Sequence, residues 1–105
     1  MQGSVKFSND ERVLTASLSG EIDHHCAKEE REEIDSMLFK MKPEILVLDF
    51  SEVKFMDSSG IGLIIGRSEV AEGIGCRVQV SGLSRALLRL VRLSGIEKLR
   101  NIKIQ

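Results

Sequence analysis

The sequence feature that most constrains the fold is an apolar run that follows a stretch with helical spacing. Residues 45–50 are apolar at every position except Asp49, which is typical of a central strand covered on both faces. Before this run, residues 24–41 place apolar side chains on one helical face, with Asp23 as the N-cap and Pro43 as the stop. The pattern therefore predicts a helix followed by a buried strand.

Further strands and helices are predicted on both sides of this pair. On the N-terminal side they are strands at residues 5–7 and 13–19, with turn residues at 9–11 and an end at Gly20. On the C-terminal side they are a loop at 51–57, a helix from Ser58 to Gly73, a strand at 77–80, a helix capped by Ser84 and a short strand at Ile102 and Ile104. This alternation indicates an α/β fold with a mixed, mostly parallel β-sheet and packed α-helices. With 105 residues and no linker or repeat, the chain is predicted to be one domain, residues 1–105.

Composition excludes several classes of protein. The longest apolar run, residues 61–65, is far shorter than the ~20 residues needed to cross a bilayer, and no apolar stretch of a signal peptide opens the sequence. Cys26 and Cys76 are too few for a disulfide scaffold. The absence of Trp and Tyr argues against binding of single-stranded nucleic acid. We therefore expect a soluble, cytoplasmic domain that contacts neither nucleic acid nor membrane directly.

Three glycines in the second predicted helix resemble part of a dinucleotide-binding fingerprint. Gly60, Gly62 and Gly66 follow a strand, as that fingerprint requires. However, the strand ends too early for a tight turn, and no acidic residue stands near Val80 to bind a ribose. The glycines are instead predicted to let the helix pack closely against the sheet.

Catalytic and metal sites are also incomplete. Residues 57–60, Asp-Ser-Ser-Gly, do not form the Gly-x-Ser-x-Gly elbow of a hydrolase. His24, His25 and Cys26 are adjacent, and adjacent residues do not share a helix face as metal ligands would. We therefore expect no enzymatic activity, no cofactor and no metal ion.

Two charged stretches occupy predicted helices. Residues 28–33 are all charged and are predicted to form the wet side of the first helix. Arg85, Arg89 and Arg92 share one face of the third helix. That face is interpreted either as a solvated surface or as a docking stripe for an acidic partner or nucleic acid.

Residues 57–60 place two hydroxyl groups at the start of a helix, where backbone N–H groups and the helix dipole favour negative charge. Ser58 or Ser59 could serve as an ordinary helix cap. Alternatively, the position could carry a phosphoserine without unfolding the helix. The spacing alone leaves both interpretations open.

Several stretches resemble a known family. They are residues 18–25, residues 45–49, residues 55–62 with Gly66 and Arg67, and residues 93–96. In this order they are similar to the STAS-domain family, specifically to the anti-sigma factor antagonists. The Asp-His-His triplet at residues 23–25 is more similar to the sporulation branch than to the general-stress branch. Since the sequence ends at Gln105, the last helix of the family fold is expected to be reduced or absent.

The resemblance implies roles for individual residues. It implies that Ser58 is the phosphorylated residue and that Asp23 lies close to it. It further implies a partner-binding surface that includes Asp57, Ser58, Ser59 and Gly60 besides Asp23. The implied partners are an anti-sigma factor that is also the serine kinase, and a serine phosphatase of the metal-dependent type.

The function implied by the resemblance is a non-enzymatic switch. The unphosphorylated protein would bind the anti-sigma factor and release the sigma factor, and phosphorylation of Ser58 would prevent this binding. We also expect Glu29 and Glu33 to contribute to docking, with a salt-sensitive effect on the association rate. The alternative is a STAS module that senses a small ligand or belongs to a scaffold, without regulated phosphorylation.

Overall fold

The computed structural model of the protein describes residues 3–105, in which a five-stranded sheet is packed against three helices. The elements in chain order are β1 (Ser4–Asp10), β2 (Val13–Ile22), α1 (His24–Met41), β3 (Ile45–Met56), α2 (Ser58–Gly73), β4 (Arg77–Ser81), α3 (Arg85–Ser94), a 3₁₀ turn (Ile96–Lys98) and β5 (Ile102–Ile104). The predicted α/β fold with a mixed, mostly parallel sheet is therefore confirmed. None of the helices within residues 3–105 is both long and apolar enough to span a bilayer.

The strands lie in the sheet in the same order as in the chain. β1 and β2 form an antiparallel hairpin, and β2, β3, β4 and β5 are successive parallel neighbours. Each parallel connection contains a helix, and right-handed crossovers that always step in the same direction place their helices on the same face. All three helices therefore cover one face of the sheet, and the carboxyl ends of the parallel strands meet at one edge.

Burial along the strands follows this one-sided arrangement. Leu46, Leu48 and Phe50 face the helices and are fully buried, whereas Ile45 and Val47 on the other face are only half-buried. The prediction that residues 45–50 are covered on both faces is therefore wrong. The apolar run suggested burial on both faces because Ile45 and Val47, which point away from the helices, are also branched apolar residues.

Two strands extend beyond their predicted ends. β2 continues past Gly20 to Ile22, and β3 includes residues 51–56, which were expected to form a loop. The pairing continues because register shifts let the two strands run on together, with Gly20 at a φ of 79° beside one shift. The turn of the hairpin lies at residues 11–12 rather than 9–11, with Glu11 in the left-handed region at a φ of 54°.

The helix boundaries agree closely with the sequence patterns. α1 spans the predicted residues 24–41, α2 ends at Gly73, and the hydroxyl of Ser84 caps α3 by accepting the N–H of Leu87 at 3.2 Å. The short last strand is also present. Local capping and stop signals in the sequence therefore set these boundaries.

Candidate functional site

The start of α2 is capped by Asp57. The Asp57 carboxylate accepts the backbone N–H of Ser59 at 2.8 Å, and its carbonyl accepts that of Gly60 at 3.0 Å. The interpretation that a hydroxyl of Ser58 or Ser59 caps this helix is therefore wrong. Asp57 has the extended backbone of an N-cap and a stronger acceptor, so it takes the role and leaves Ser58 as the first helical residue, exposed to solvent.

The start of α1 is capped in the same way by Asp23, as predicted. One carboxylate oxygen accepts the backbone N–H groups of His25 at 2.9 Å and of Cys26 at 3.2 Å. The pKa of the Asp23 carboxyl lies below its usual value, mainly because of the hydrogen bond from Cys26 and also that from His25, although partial desolvation opposes the shift. Asp23 is therefore ionised at neutral pH.

The two helix starts lie side by side. Ile22 and Met56, the last residues of β2 and β3, are paired in the sheet, and Asp23 and Asp57 follow them directly. The backbone N–H of Asp57 donates to the carbonyl of Ile22 at 3.2 Å. The carboxyl ends of parallel strands are the usual place for a binding site in an open α/β sheet. The structure thus brings Asp23 together with residues 57–60.

The glycines of α2 have different environments. Gly60 is buried, and a Cβ atom there would lie 2.6 Å from the sulfur of Met56, so close packing is confirmed at this position. At Gly62 and Gly66 no atom apart from the adjoining residues and the nearby backbone of α2 would lie within 4 Å of an added Cβ. The prediction that these two glycines pack against the sheet is wrong, because they lie on the outer side of α2, with Gly62 exposed.

A groove of about 430 Å³ lies between α1 and the start of α2. Its α2 wall is formed by Ser59 and Gly62, the residues next to and one turn after Ser58. Its α1 wall is formed by Ala27 and by four charged or protonatable side chains. These are the side chains of His24, His25, Lys28 and Arg31. No carboxylate is among the residues that line it, so the groove favours anions.

The acidic side chains of α1 lie on its other flank. A second groove, of about 540 Å³, is lined by Glu29, Glu32 and Glu33 with Phe7, Ser36 and Met37. Lys28 and Arg31 thus lie toward α2, whereas Glu29, Glu32 and Glu33 lie toward β1. The prediction that Glu29 and Glu33 contribute to docking therefore concerns a surface separated from Ser59 by the width of the helix.

Glu30 is the exception within the charged stretch, because its side chain is buried (3% exposed) instead of lying on the wet side of α1. Burial raises the pKa of the Glu30 carboxyl to about 7; the thiol of Cys26 opposes the shift, and the nearby acidic groups of Glu33, Asp23 and Glu29 add to it. The Cys26 thiol, however, donates to the Glu21 carbonyl at 3.1 Å. Within residues 3–105, neither carboxyl oxygen of Glu30 has a partner with good hydrogen-bond geometry.

An ion pair joins α1 to α2 farther along both helices than the cationic groove. The Arg67 Nε and Asp35 Oδ1 atoms are 2.7 Å apart, with side chains 6% and 28% exposed, although neither atom meets hydrogen-bond geometry. Burial raises the pKa of Asp35 and lowers that of Arg67, and on each side it outweighs the attraction of the partner. The helical period puts Arg67 on the same side of α2 as Leu63 and Ile64, and this signal in the sequence could have shown its burial.

The three arginines of α3 are exposed, and Arg92 lies 4.0 Å from Glu97. They form a shallow surface with Leu88 and with Leu93, which is 80% exposed. This surface is remote in sequence from residues 57–60. Its solvated character is shown, and a docking role for it stays a prediction.

Other candidate sites remain without support from the geometry. Both cysteines are free and buried. Across the described part of the chain, no group of three or more His, Cys, Asp or Glu side chains is placed to hold a metal ion. The site at the start of α2 therefore consists of carboxylate caps, hydroxyl groups and a cationic groove.

Comparisons with known proteins identify the family. The family model for the STAS domain matches residues 4–104. The chain is 32% identical over 102 residues to an anti-sigma F factor antagonist of Paenibacillus polymyxa, covering 97% of this chain and 87% of the relative. It is 30% identical over 87 residues to an anti-sigma-B factor antagonist of Listeria monocytogenes, covering 82% and 75% of the two chains.

A solved structure supports the same assignment. The anti-sigma factor antagonist SpoIIAA in its unphosphorylated form matches with a TM-score of 0.82 at 25% identity, over 97% of this chain and 88% of that one. Sequence and fold thus lead to one conclusion. The chain belongs to the STAS-domain family, and within it to the anti-sigma factor antagonists.

Proposed function

We propose that this protein acts as an anti-sigma factor antagonist whose binding to an anti-sigma factor is switched off by phosphorylation of Ser58. The observation that carries the proposal is the division of roles at the start of α2. Asp57 supplies the cap, and the exposed Ser58 hydroxyl is not the capping group. A kinase could therefore modify Ser58 without removing the hydrogen bond that starts the helix.

The start of α2 also tolerates the added charge. A phosphate carries about −1.5 to −2 charges at neutral pH. The first N–H groups of a helix lack partners inside the helix, and its dipole favours anions at this end. Phosphorylation would thus change the surface while the fold is retained.

The docking surface would consist of Asp23 and residues 57–60, which the sheet places at one edge. A phosphate on Ser58 would add a dense negative charge to this surface. Excluding a charge from water at an interface without a partner costs several kcal/mol, which corresponds to a hundreds-fold loss of affinity or more. The switch therefore needs no rearrangement of the strands or helices.

We infer the partners from the relatives. The antagonist relatives are named for anti-sigma factors of the F and B types, and we infer that the partner of this chain is such a factor, acting also as the serine kinase. A metal-dependent serine phosphatase would reverse the modification. The residues Asp23, His24 and His25 favour the sporulation branch of the family. We infer a cytoplasmic regulator that acts by binding its partner and not by catalysis.

The test uses the anti-sigma kinase encoded next to a sigma factor in the same genome. With ATP, we expect one phosphate on the parent protein and on the control Ser59→Ala, and none on Ser58→Ala. Mass spectrometry of peptides locates it. Phosphate on Ser59 would refute the assignment of Ser58.

Binding measurements complete the test. Ser58→Ala is expected to bind the anti-sigma factor as tightly as the parent, and Ser58→Asp to bind at least about tenfold more weakly while remaining folded, because one carboxylate imitates a phosphate only in part. Titration calorimetry measures both affinities. If the parent is neither bound nor phosphorylated, the alternative of a ligand-sensing or scaffold module is favoured.

Reversal of Glu29 and Glu33 to Lys will show, through the association rate at low salt, whether docking extends across α1.

A further inference from the structure

The cationic side of α1 faces the start of α2 in a way that capping and packing do not explain. Lys28 and Arg31 are one turn apart on the same face and line the groove whose other wall is Ser59 and Gly62. Three carboxylates of α1, those of Glu29, Glu32 and Glu33, line the opposite flank instead. Two adjacent cations therefore face this wall of α2 without a carboxylate in the lining.

The acidic groups nearest the groove are already engaged. The carboxylates of Asp23 and Asp57 accept backbone N–H groups of their own helices. The carboxylate of Asp35 lies against the buried Arg67. The groove is thus suited to an additional anion.

Ser58 lies beside this groove. It precedes Ser59 in the chain and stands one turn before Gly62 on the same side of α2, because residues four apart are neighbours on a helix surface. Gly62 has no side chain, and the space a Cβ would occupy there is open. Gly62 therefore places no side chain between a group on Ser58 and the long side chains of Lys28 and Arg31.

We propose that Lys28 and Arg31 bind the phosphate of phosphorylated Ser58, so that the cationic groove between α1 and α2 is an internal phosphate-binding site. A phosphate placed opposite basic side chains forms charge-assisted hydrogen bonds with them. His24 and His25 line the same groove and can add positive charge when protonated. In the phosphorylated protein, the phosphate would cover the positive charges of Lys28 and Arg31. A partner would then meet a surface whose charge has changed sign.

This inference rests on the proposed phosphorylation of Ser58, and its test is independent of any kinase. Phosphoserine is installed at position 58 during translation, in the parent and in Lys28→Gln/Arg31→Gln. The pKa of the phosphate is then read from the ³¹P chemical shift during a pH titration. We expect the double variant to have a phosphate pKa about one unit higher than the parent, because a nearby cation favours the dianion.

A matched control removes the same charge elsewhere. Lys40→Gln/Arg89→Gln changes one exposed cation in the last turn of α1 and one on α3. We expect it to leave the phosphate pKa within about 0.2 units of the parent, since distant exposed charges are screened by salt. A second readout is the rate at which alkaline phosphatase removes the phosphate, expected to rise about fivefold in the groove variant only as the phosphate becomes accessible.

Either of two results would overturn the proposal. The first is an equal phosphate pKa in the parent and the groove variant, and the second is an equal shift in the control. If the anti-sigma kinase instead fails to phosphorylate Ser58, the proposed function fails, whereas the titration of the installed phosphoserine still decides whether the groove binds it.

Discussion

The starts of α1 and α2 share a backbone arrangement and differ in every side chain after the cap. Each helix follows the end of a parallel strand, and each begins with an aspartate whose carboxylate accepts the N–H two residues on, at 2.9 Å for Asp23 and 2.8 Å for Asp57. The cap therefore cannot be what distinguishes a regulated helix start from an ordinary one.

The difference lies in the residues of the first two turns. Three residues after the cap, α1 has Cys26 and α2 has Gly60, which allows close packing on Met56. Five residues after the cap, α1 has Lys28 and α2 has the exposed Gly62. One helix start thus supplies charge, and the other supplies a hydroxyl group and open space. Their combined chemistry depends on how the two helices are held together.

The largest expected effect comes from the ion pair that holds them. Asp35→Ala leaves the buried guanidinium of Arg67 without its counter-charge, which we expect to lower the free energy of unfolding by about 3 kcal/mol. Urea denaturation measures this loss. The two helix starts would also move relative to each other, so anti-sigma binding should weaken in the variant.

The matched control is an exposed pair at similar distance. Arg12 and Glu44 are 2.8 Å apart with side chains 76% and 61% exposed, so Glu44→Ala should cost less than about 1 kcal/mol. Because burial outweighs attraction at both Asp35 and Arg67, replacing them together by Leu and Met should restore most of the loss. A loss for Asp35→Ala no larger than for Glu44→Ala would show that the pair does not join the helices.

The second prediction concerns a pH dependence of stability that arises from α1 and has no counterpart in α2. Glu30 lies under the first turns of α1, and its folded-state pKa of about 7 is above the ordinary value of 4.5 for a glutamate, so the folded state binds a proton more tightly than the unfolded state. Its contribution favours folding below pH 4.5 and is lost as the pH rises through 7. From pH 5 to pH 8 we expect the stability to fall by about 2 kcal/mol relative to Glu30→Gln.

Denaturation curves at several pH values give this difference directly. Taking the parent against Glu30→Gln cancels the titration of Asp35 and Cys26, which also have raised pKa values. Glu29→Gln, one residue away on the exposed side, serves as the control; it keeps Glu30, so its stability should fall with pH nearly as that of the parent does. Parallel stability curves for parent and Glu30→Gln would mean that the buried carboxyl is already neutralised by another group.

Features that depend on local residues could be predicted from the sequence, whereas features that depend on contacts between distant elements could not. Asp23, Ser84 and Pro43 act on their own helix, so the predicted helix boundaries were correct. The extension of β3 through residues 51–56 depends on pairing with β2 across the sheet, and no local pattern reports it. The loop predicted there was therefore wrong.

The site shows the same limit. Residues 57–60 were identified from their motif, whereas the Asp35–Arg67 pair and the burial of Glu30 arise from contacts between elements far apart in the chain. A charged residue is normally assigned to the surface, and both exceptions lie where α1 packs on the rest of the protein. The helical period could have indicated the burial of Arg67, but its pairing with Asp35 could be predicted only by assuming how α1 and α2 pack.

The smallest expected effect concerns the open position on α2. Gly62→Ala adds a methyl group into empty space in the second turn, so it should stabilise the protein by about 0.5–1 kcal/mol through helix propensity. Gly60→Ala, two residues earlier, is the matched control and should destabilise it by about 1–3 kcal/mol, because the new Cβ would overlap the buried side chain of Met56. Thermal unfolding of both variants measures whether each substitution raises or lowers the stability. If Gly62→Ala is stabilising and weakens anti-sigma binding, the glycine serves docking rather than folding. If it destabilises the protein, α2 lacks the open space beside Ser58, and the contrast between the two helix starts would have to rest on charge alone.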